Sequence, residues 1–108
     1  MKLWKRLNER EFRVVFSDAK KYFGKYVVVF VSNGVSHKVG FVASRKVGNA
    51  VKRNRAKRLM REAFLRVQSE VPQNKSYILV AKKSIATVKM WDVYEDLKKM
   101  LSKEGEGK

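Results

Sequence analysis

The sequence predicts an α+β domain of order αββαβα, a small mixed sheet with helices packed on it as a two-layer sandwich. Three observations carry that prediction. Apolar residues recur at three- and four-residue steps over residues 8–23, 50–69 and 89–102. Between these segments, 26–31, 35–44 and 77–81 are dense in β-branched and aromatic side chains. The chain has 108 residues, of which 44% are hydrophobic, and no cysteine. That composition suits one domain over residues 1–108 with a single modest core and no disulfide framework.

The first helix, 8–23, opens on Asn8 and Glu11, a capping-box pair, with Leu7 and Phe12 at the flanking staple positions. Phe12, Val15, Phe16, Ala19 and Phe23 form its apolar face, and Gly24 is placed to stop it. Tyr26 to Val31 reads as a strand covered on both faces. Asn33-Gly34 then predicts a hairpin turn, and Val35 to Ser44 returns as the second strand. Gly40 within it marks a bulge or a close backbone approach. A helix follows from Ala50 to Ser69, then a linker at Val71–Lys75 and the short strand Tyr77–Ala81. The connection Ser84–Val88 leads to a last helix over Lys89–Ser102, whose apolar face is Met90, Val93, Tyr94, Leu97, Met100 and Leu101. The ordered core is expected over about 7–102, with a flexible tail at 103–108.

Charge narrows the function. There are 26 Lys and Arg against 10 Asp and Glu, a net charge of +16. Such a field attracts polyanions and repels itself within the fold. Nucleic acid is the favoured partner and an anionic membrane surface the other. No apolar run approaches the roughly 18 residues of a membrane span, and no signal peptide is evident, so a cytoplasmic protein is expected.

The charge is concentrated in the helix that starts at Ala50. Lys52, Arg53, Arg55, Lys57, Arg58 and Arg61 precede its first acid, Glu62. At 100° per residue, Ala56, Met60, Ala63, Phe64, Val67 and Val71 fall within about 120° and form a core stripe. Arg53, Lys57 and Arg61 run along one border of that stripe, Arg55 and Arg58 project from the side opposite it, and Asn54 lies between the two sets. Like charges at these spacings destabilise a helix by a few tenths of a kcal/mol per pair. A cluster of this kind is therefore expected to serve a ligand, and guanidinium groups suit phosphate. Phe12 and Phe16, one turn apart beside a strand rich in Val and Phe, either pack as core or line an apolar cleft for unpaired bases.

Catalytic constellations are missing. His37 is the single histidine, placed in a hairpin as an exposed loop residue. Asp92, Glu95 and Asp96 share one helix and could gather a metal, but Lys89, Lys98 and Lys99 surround them, which favours helix ion pairs. The residues describe a binder rather than a catalyst.

The segment "SRKVGNAVKRNRAKRLMREAF" resembles the protein subunit of bacterial ribonuclease P. Arg53-Asn54-Arg55 and the cations after it look like that family's RNR motif, "VGFVASRKVGNAV" is similar to its second strand and loop, and "NEREFRVVF" and "YILVAKK" fall in its order. The resemblance covers nearly the whole chain. It implies a ribonucleoprotein endonuclease, a hydrolase of tRNA processing, that removes the 5′ leader from precursor tRNA. Catalysis lies in the RNA subunit with magnesium ions, and no catalytic residue is expected in the protein. The protein would bind the catalytic RNA through Arg45, Lys46, Asn49, Arg53, Asn54, Arg55, Lys57, Arg58 and Arg61. A cleft of Phe12, Phe16, Val29, Val42 and Ser44 would take the leader. The family often has an aromatic near position 29 and a polar residue at 42, where this chain has valines. A left-handed βαβ crossover around the basic helix is also implied. The alternative is a ribosomal or general RNA-binding protein of related fold.

Overall fold

The computed structural model describes residues 4–33 and 37–106. Its strands are β1 (Lys5–Arg6), β2 (Lys20–Phe23), β3 (Val27–Ser32), β4 (Lys38–Val42) and β5 (Ser76–Ala81). Its α-helices are α1 (Glu9–Asp18), α2 (Ala50–Val67) and α3 (Met90–Glu106), so α3 continues beyond the expected end at Ser102. Short 3-10 turns at Gln68–Glu70 and Lys83–Thr87 join α2 to β5 and β5 to α3. All five strands form one mixed sheet in the order β1-β4-β5-β3-β2.

The alternation of side chains along each strand divides the core in two. Val27, Val29 and Val31 of β3 share one face with Tyr77, Leu79 and Ala81 of β5. Over them pack Ala56, Met60, Ala63 and Phe64 of α2 and Val93, Leu97 and Leu101 of α3. On the reverse face Ile78 meets Leu7 and Val15, with Phe12, Phe30, Val42 and Val80 beside them. The two-layer arrangement thus holds for α2 and α3, and α1 adds a partial third layer behind the sheet. The core stripe of α2 is as its periodicity requires: Ala56, Met60, Ala63, Phe64, Val67 and Val71 are all buried.

Local chemistry explains the helix starts. The Asn8 side chain accepts from the Glu11 N–H at 2.9 Å, and the Glu11 carboxylate accepts from the Asn8 N–H at 2.9 Å. Leu7 and Phe12 meet in the same cluster, which completes the staple. Asn49 caps α2, accepting from the Lys52 N–H at 3.0 Å.

The first helix is shorter than its pattern suggested. It stops at Asp18, and Lys20–Phe23 forms β2, paired antiparallel to β3 with Lys21 opposite Phe30 and Phe23 opposite Val28. A terminal Asp opposes the helix dipole, and no basic residue offsets it in the last turn. Pairing with the apolar β3 then outweighs five more helical residues. Phe23 is consequently exposed, and Gly24 belongs to the β2–β3 turn rather than to a helix stop. A Cβ at Gly24 would lie 2.5 Å from Asp96 Oδ2. That carboxylate, buried, accepts the N–H groups of Lys25 and Tyr26 at 2.9 and 2.8 Å.

The expected hairpin between the second and third segments does not form as a pair. β5 lies between β3 and β4, antiparallel to the first and parallel to the second. Gly34, Val35 and Ser36 lie outside the described residues, so the Asn33-Gly34 turn does too. The physical reason for the split is burial: β5, SYILVA, is apolar toward both faces and takes the centre of the sheet. Spanning two strand spacings, about 10 Å, also needs more than a two-residue turn. At the end of this connection His37 has φ 63°. It is half-buried rather than an exposed loop residue, and its ring stacks on Trp4 at 4.7 Å with planes 8° apart.

Candidate nucleic-acid interface

Two surfaces meet the conditions set by the sequence, and they lie on different sides of the sheet. The first is α2 with the turn before it. Arg45 and Lys46 are exposed in that turn, which closes through the Val47 N–H to Ser44 O and the Gly48 N–H to Arg45 O, both at 3.1 Å. Gly48 has φ 143°, a conformation that favours glycine, and leads directly into the Asn49 cap. Along the helix Asn54, Arg58 and Arg61 are exposed, while Arg53, Arg55 and Lys57 are half-buried. Arg53, Lys57, Arg58 and Arg61 have no ion-pair partner among the described residues.

Arg55 stands apart from this set. Its guanidinium donates to the Ala86 carbonyl at 3.1 Å and the Val88 carbonyl at 2.7 Å, bracing α2 against the lead into α3. The helical wheel put it opposite the core stripe, but α3 packs beside α2 and claims that flank. Part of its hydrogen-bonding capacity is therefore structural.

The second surface is the face of the sheet that α1 only partly covers. Phe16 is 40% exposed. Its ring stands edge-on to Phe30 at 4.8 Å and near-parallel to Phe12 at 6.1 Å. Val42 and Val80 are half-buried in the same cluster, and the Lys21 ammonium lies 5.6 Å from the centre of the Phe30 ring. The result is a groove with an aromatic wall, an aliphatic floor and a cation at its rim. Ser44, exposed, follows the end of β4. Gly40 is the close approach expected of it: a Cβ there would sit 2.4 Å from Phe12 Cζ.

Val29 is not in this groove. It is fully buried on the opposite face, under α2 and α3, because β3 alternates. Phe30, one residue further, supplies the aromatic there. The signal is present in the run Tyr26 to Val31, since placing Val27, Val29 and Val31 inward turns Phe30 outward. Lys21 escapes a reading that makes its segment helical.

The acids give no comparable site. Both Asp96 oxygens are engaged by the β2–β3 turn, and Asp92 accepts from the Lys89 N–H at 2.9 Å at the start of α3. Among the described residues, no three His, Asp or Glu side chains are gathered for a metal ion.

Fold and surface together define a basic α+β RNA-binding domain, with a cationic helix packed on one face of a sheet and an aromatic groove on the other. The family model for ribonuclease P matches residues 2–105. The ribonuclease P protein component of Caldanaerobacter subterraneus subsp. tengcongensis is 33% identical over 104 residues, covering 94% of this chain and 90% of that protein. Among solved structures, the RNase P protein from Thermotoga maritima aligns with a TM-score of 0.78 and 31% identity over 92% of this chain and 96% of that one. The Staphylococcus aureus RNase P protein gives 0.77 and 25%, over 92% and 94%. The chain belongs to the ribonuclease P protein family and is thus a protein subunit of that endoribonuclease.

Proposed function

We propose that α2 and the turn before it dock on the catalytic RNA of ribonuclease P, while the groove beside α1 holds the 5′ leader of precursor tRNA. The single observation that carries this reading is the separation of the two surfaces. Cations without ion-pair partners among the described residues line α2, and an open aromatic groove sits across the sheet from its core-facing stripe. Phosphate contacts from the helix fix the protein on the RNA, and the groove stacks unpaired bases without reading sequence. Phosphodiester hydrolysis, leaving a 5′-phosphate on the tRNA, is assigned to the RNA subunit with its magnesium ions. The protein's cations lower phosphate repulsion between ribozyme and substrate, so that less free magnesium is needed. The site of action is the cytoplasm. No helix among the described residues is long and apolar enough to cross a membrane.

The test is reconstitution. With a bacterial catalytic RNA at low magnesium, the chain should restore cleavage of precursor tRNA while cleaving nothing alone. Failure under conditions where a Thermotoga maritima subunit succeeds would reject the reading.

A further inference from the structure

A second concavity opens on the far side of Phe12, at the β1 edge of the sheet. It encloses about 350 Å³, within the roughly 300–1,000 Å³ range of small-ligand sites. Trp4, Phe12 and Phe41 supply aromatic walls, and Arg6, Lys57 and Arg61 supply three cations; no acid lines it. The Arg61 guanidinium lies 5.8 Å from the centre of the Phe41 ring.

Two features are left incomplete by the protein, one buried beside this cavity and one at its open edge. Trp4 is 2% exposed, yet its indole N–H has no hydrogen-bond partner among the described residues; a buried donor left so is costly. Pairing of β1 with β4 ends at Arg6 and Val39, closed by the Leu7 N–H to Val39 O bond at 3.4 Å. β4 continues to Val42 with no neighbouring strand on that side among the described residues. By the two-residue repeat, the main-chain groups of Phe41 point to the same open edge as those of Val39.

We propose that the cavity seats one unstacked nucleotide of single-stranded RNA, its base against Phe12 and Phe41 with the buried Trp4 behind them, and its phosphate among Arg6, Lys57 and Arg61. This rests on the RNA-binding reading above and adds a site to it. Aromatic walls give a base faces to stack on, which a bare anion does not use. The Phe41 main chain offers a donor and an acceptor that a base edge or ribose can meet. An acidic peptide fits less well, because the open edge of β4 is too short to pair with another strand.

The chain has 2 tryptophans, so its indole N–H region in a 15N-correlated spectrum holds two reporters. Trp91, 56% exposed with Arg66 4.7 Å over its ring, is the internal control, assigned with Trp91→Phe. Titration with adenosine 5′-monophosphate should shift the Trp4 signal saturably and leave Trp91 in place. Adenosine and inorganic phosphate should each act more weakly. Arg6→Ala, at an exposed position, should raise the apparent Kd roughly fivefold or more, as expected when one charge-assisted hydrogen bond is removed, with an unchanged melting curve. An unmoved Trp4 signal would overturn the proposal. So would an equal response to inorganic phosphate or to a glutamate oligopeptide.

In the reconstituted particle, Arg6→Ala should weaken one of two affinities. Loss confined to leader-bearing substrate places the nucleotide in the leader, and loss for the catalytic RNA places it in the ribozyme. No change in either overturns the site. A chain that restores processing while Trp4 stays unmoved sinks the cavity alone and leaves the subunit reading intact.

Discussion

Glu11 shows how one side chain serves several levels of structure. It closes the capping box of α1 and also pairs with Lys38 of β4, joining the helix to the sheet. The Lys38 ammonium, and then the Asn8 N–H, hold its carboxyl below its ordinary value of 4.5. A depressed carboxyl stabilises the fold fully above its unfolded pKa, and that contribution is lost as pH falls through the lower folded value. Glu11→Gln should therefore flatten the loss of stability on acidification below about pH 4.5, read from denaturant midpoints at a series of pH values. An unchanged acid limb would show that the pair adds nothing in solution. Phe16 tests the groove at the same scale. Because its ring is substantially exposed, Phe16→Ala should lower affinity for leader-bearing precursor by about 1–3 kcal/mol, the usual worth of one stacked base. Mature tRNA should bind as before. Equal losses for both would mean that Phe16 acts only in packing.

At the scale of the element, α2 divides its cations between two tasks. Arg53→Ala should make the salt dependence of binding to the catalytic RNA shallower, by roughly 0.7–0.9 log–log units for each phosphate no longer neutralised. Arg55→Ala should act chiefly on the fold, because it frees the Ala86 and Val88 carbonyls. Thermal melting should drop by the equivalent of about 1.5–3 kcal/mol, the range for hydrogen bonds to a charged group. Its salt slope should change less than that of Arg53→Ala. The opposite ranking of the two slopes would place Arg55, not Arg53, at the RNA. The helical wheel locates the core stripe of α2 correctly from spacing alone. It cannot assign the flank taken by Arg55, since nothing in one helix's periodicity says where another helix will lie.

For the whole molecule, a net charge of +16 on 108 residues means that the folded chain works against its own repulsion. A polyanion that binds the folded state should raise the melting temperature by mass action, by roughly 4–8 °C per kcal/mol of linkage. Millimolar tripolyphosphate should therefore stabilise the protein more than sodium chloride at equal ionic strength. Equal shifts would reduce the effect to screening.

What the sequence determined by itself is whatever depends on neighbours in the chain: the cap of α1, the buried stripe of α2, the apolar β5 and the charge that calls for a polyanion. Each follows from spacing or composition within a few residues. Tertiary structure alone decided the insertion of β5 between β3 and β4 and the conversion of Lys20–Phe23 from helix to edge strand. Those outcomes turn on competition between distant segments for the same hydrogen-bonding edge and the same buried face. Local periodicity is blind to that contest.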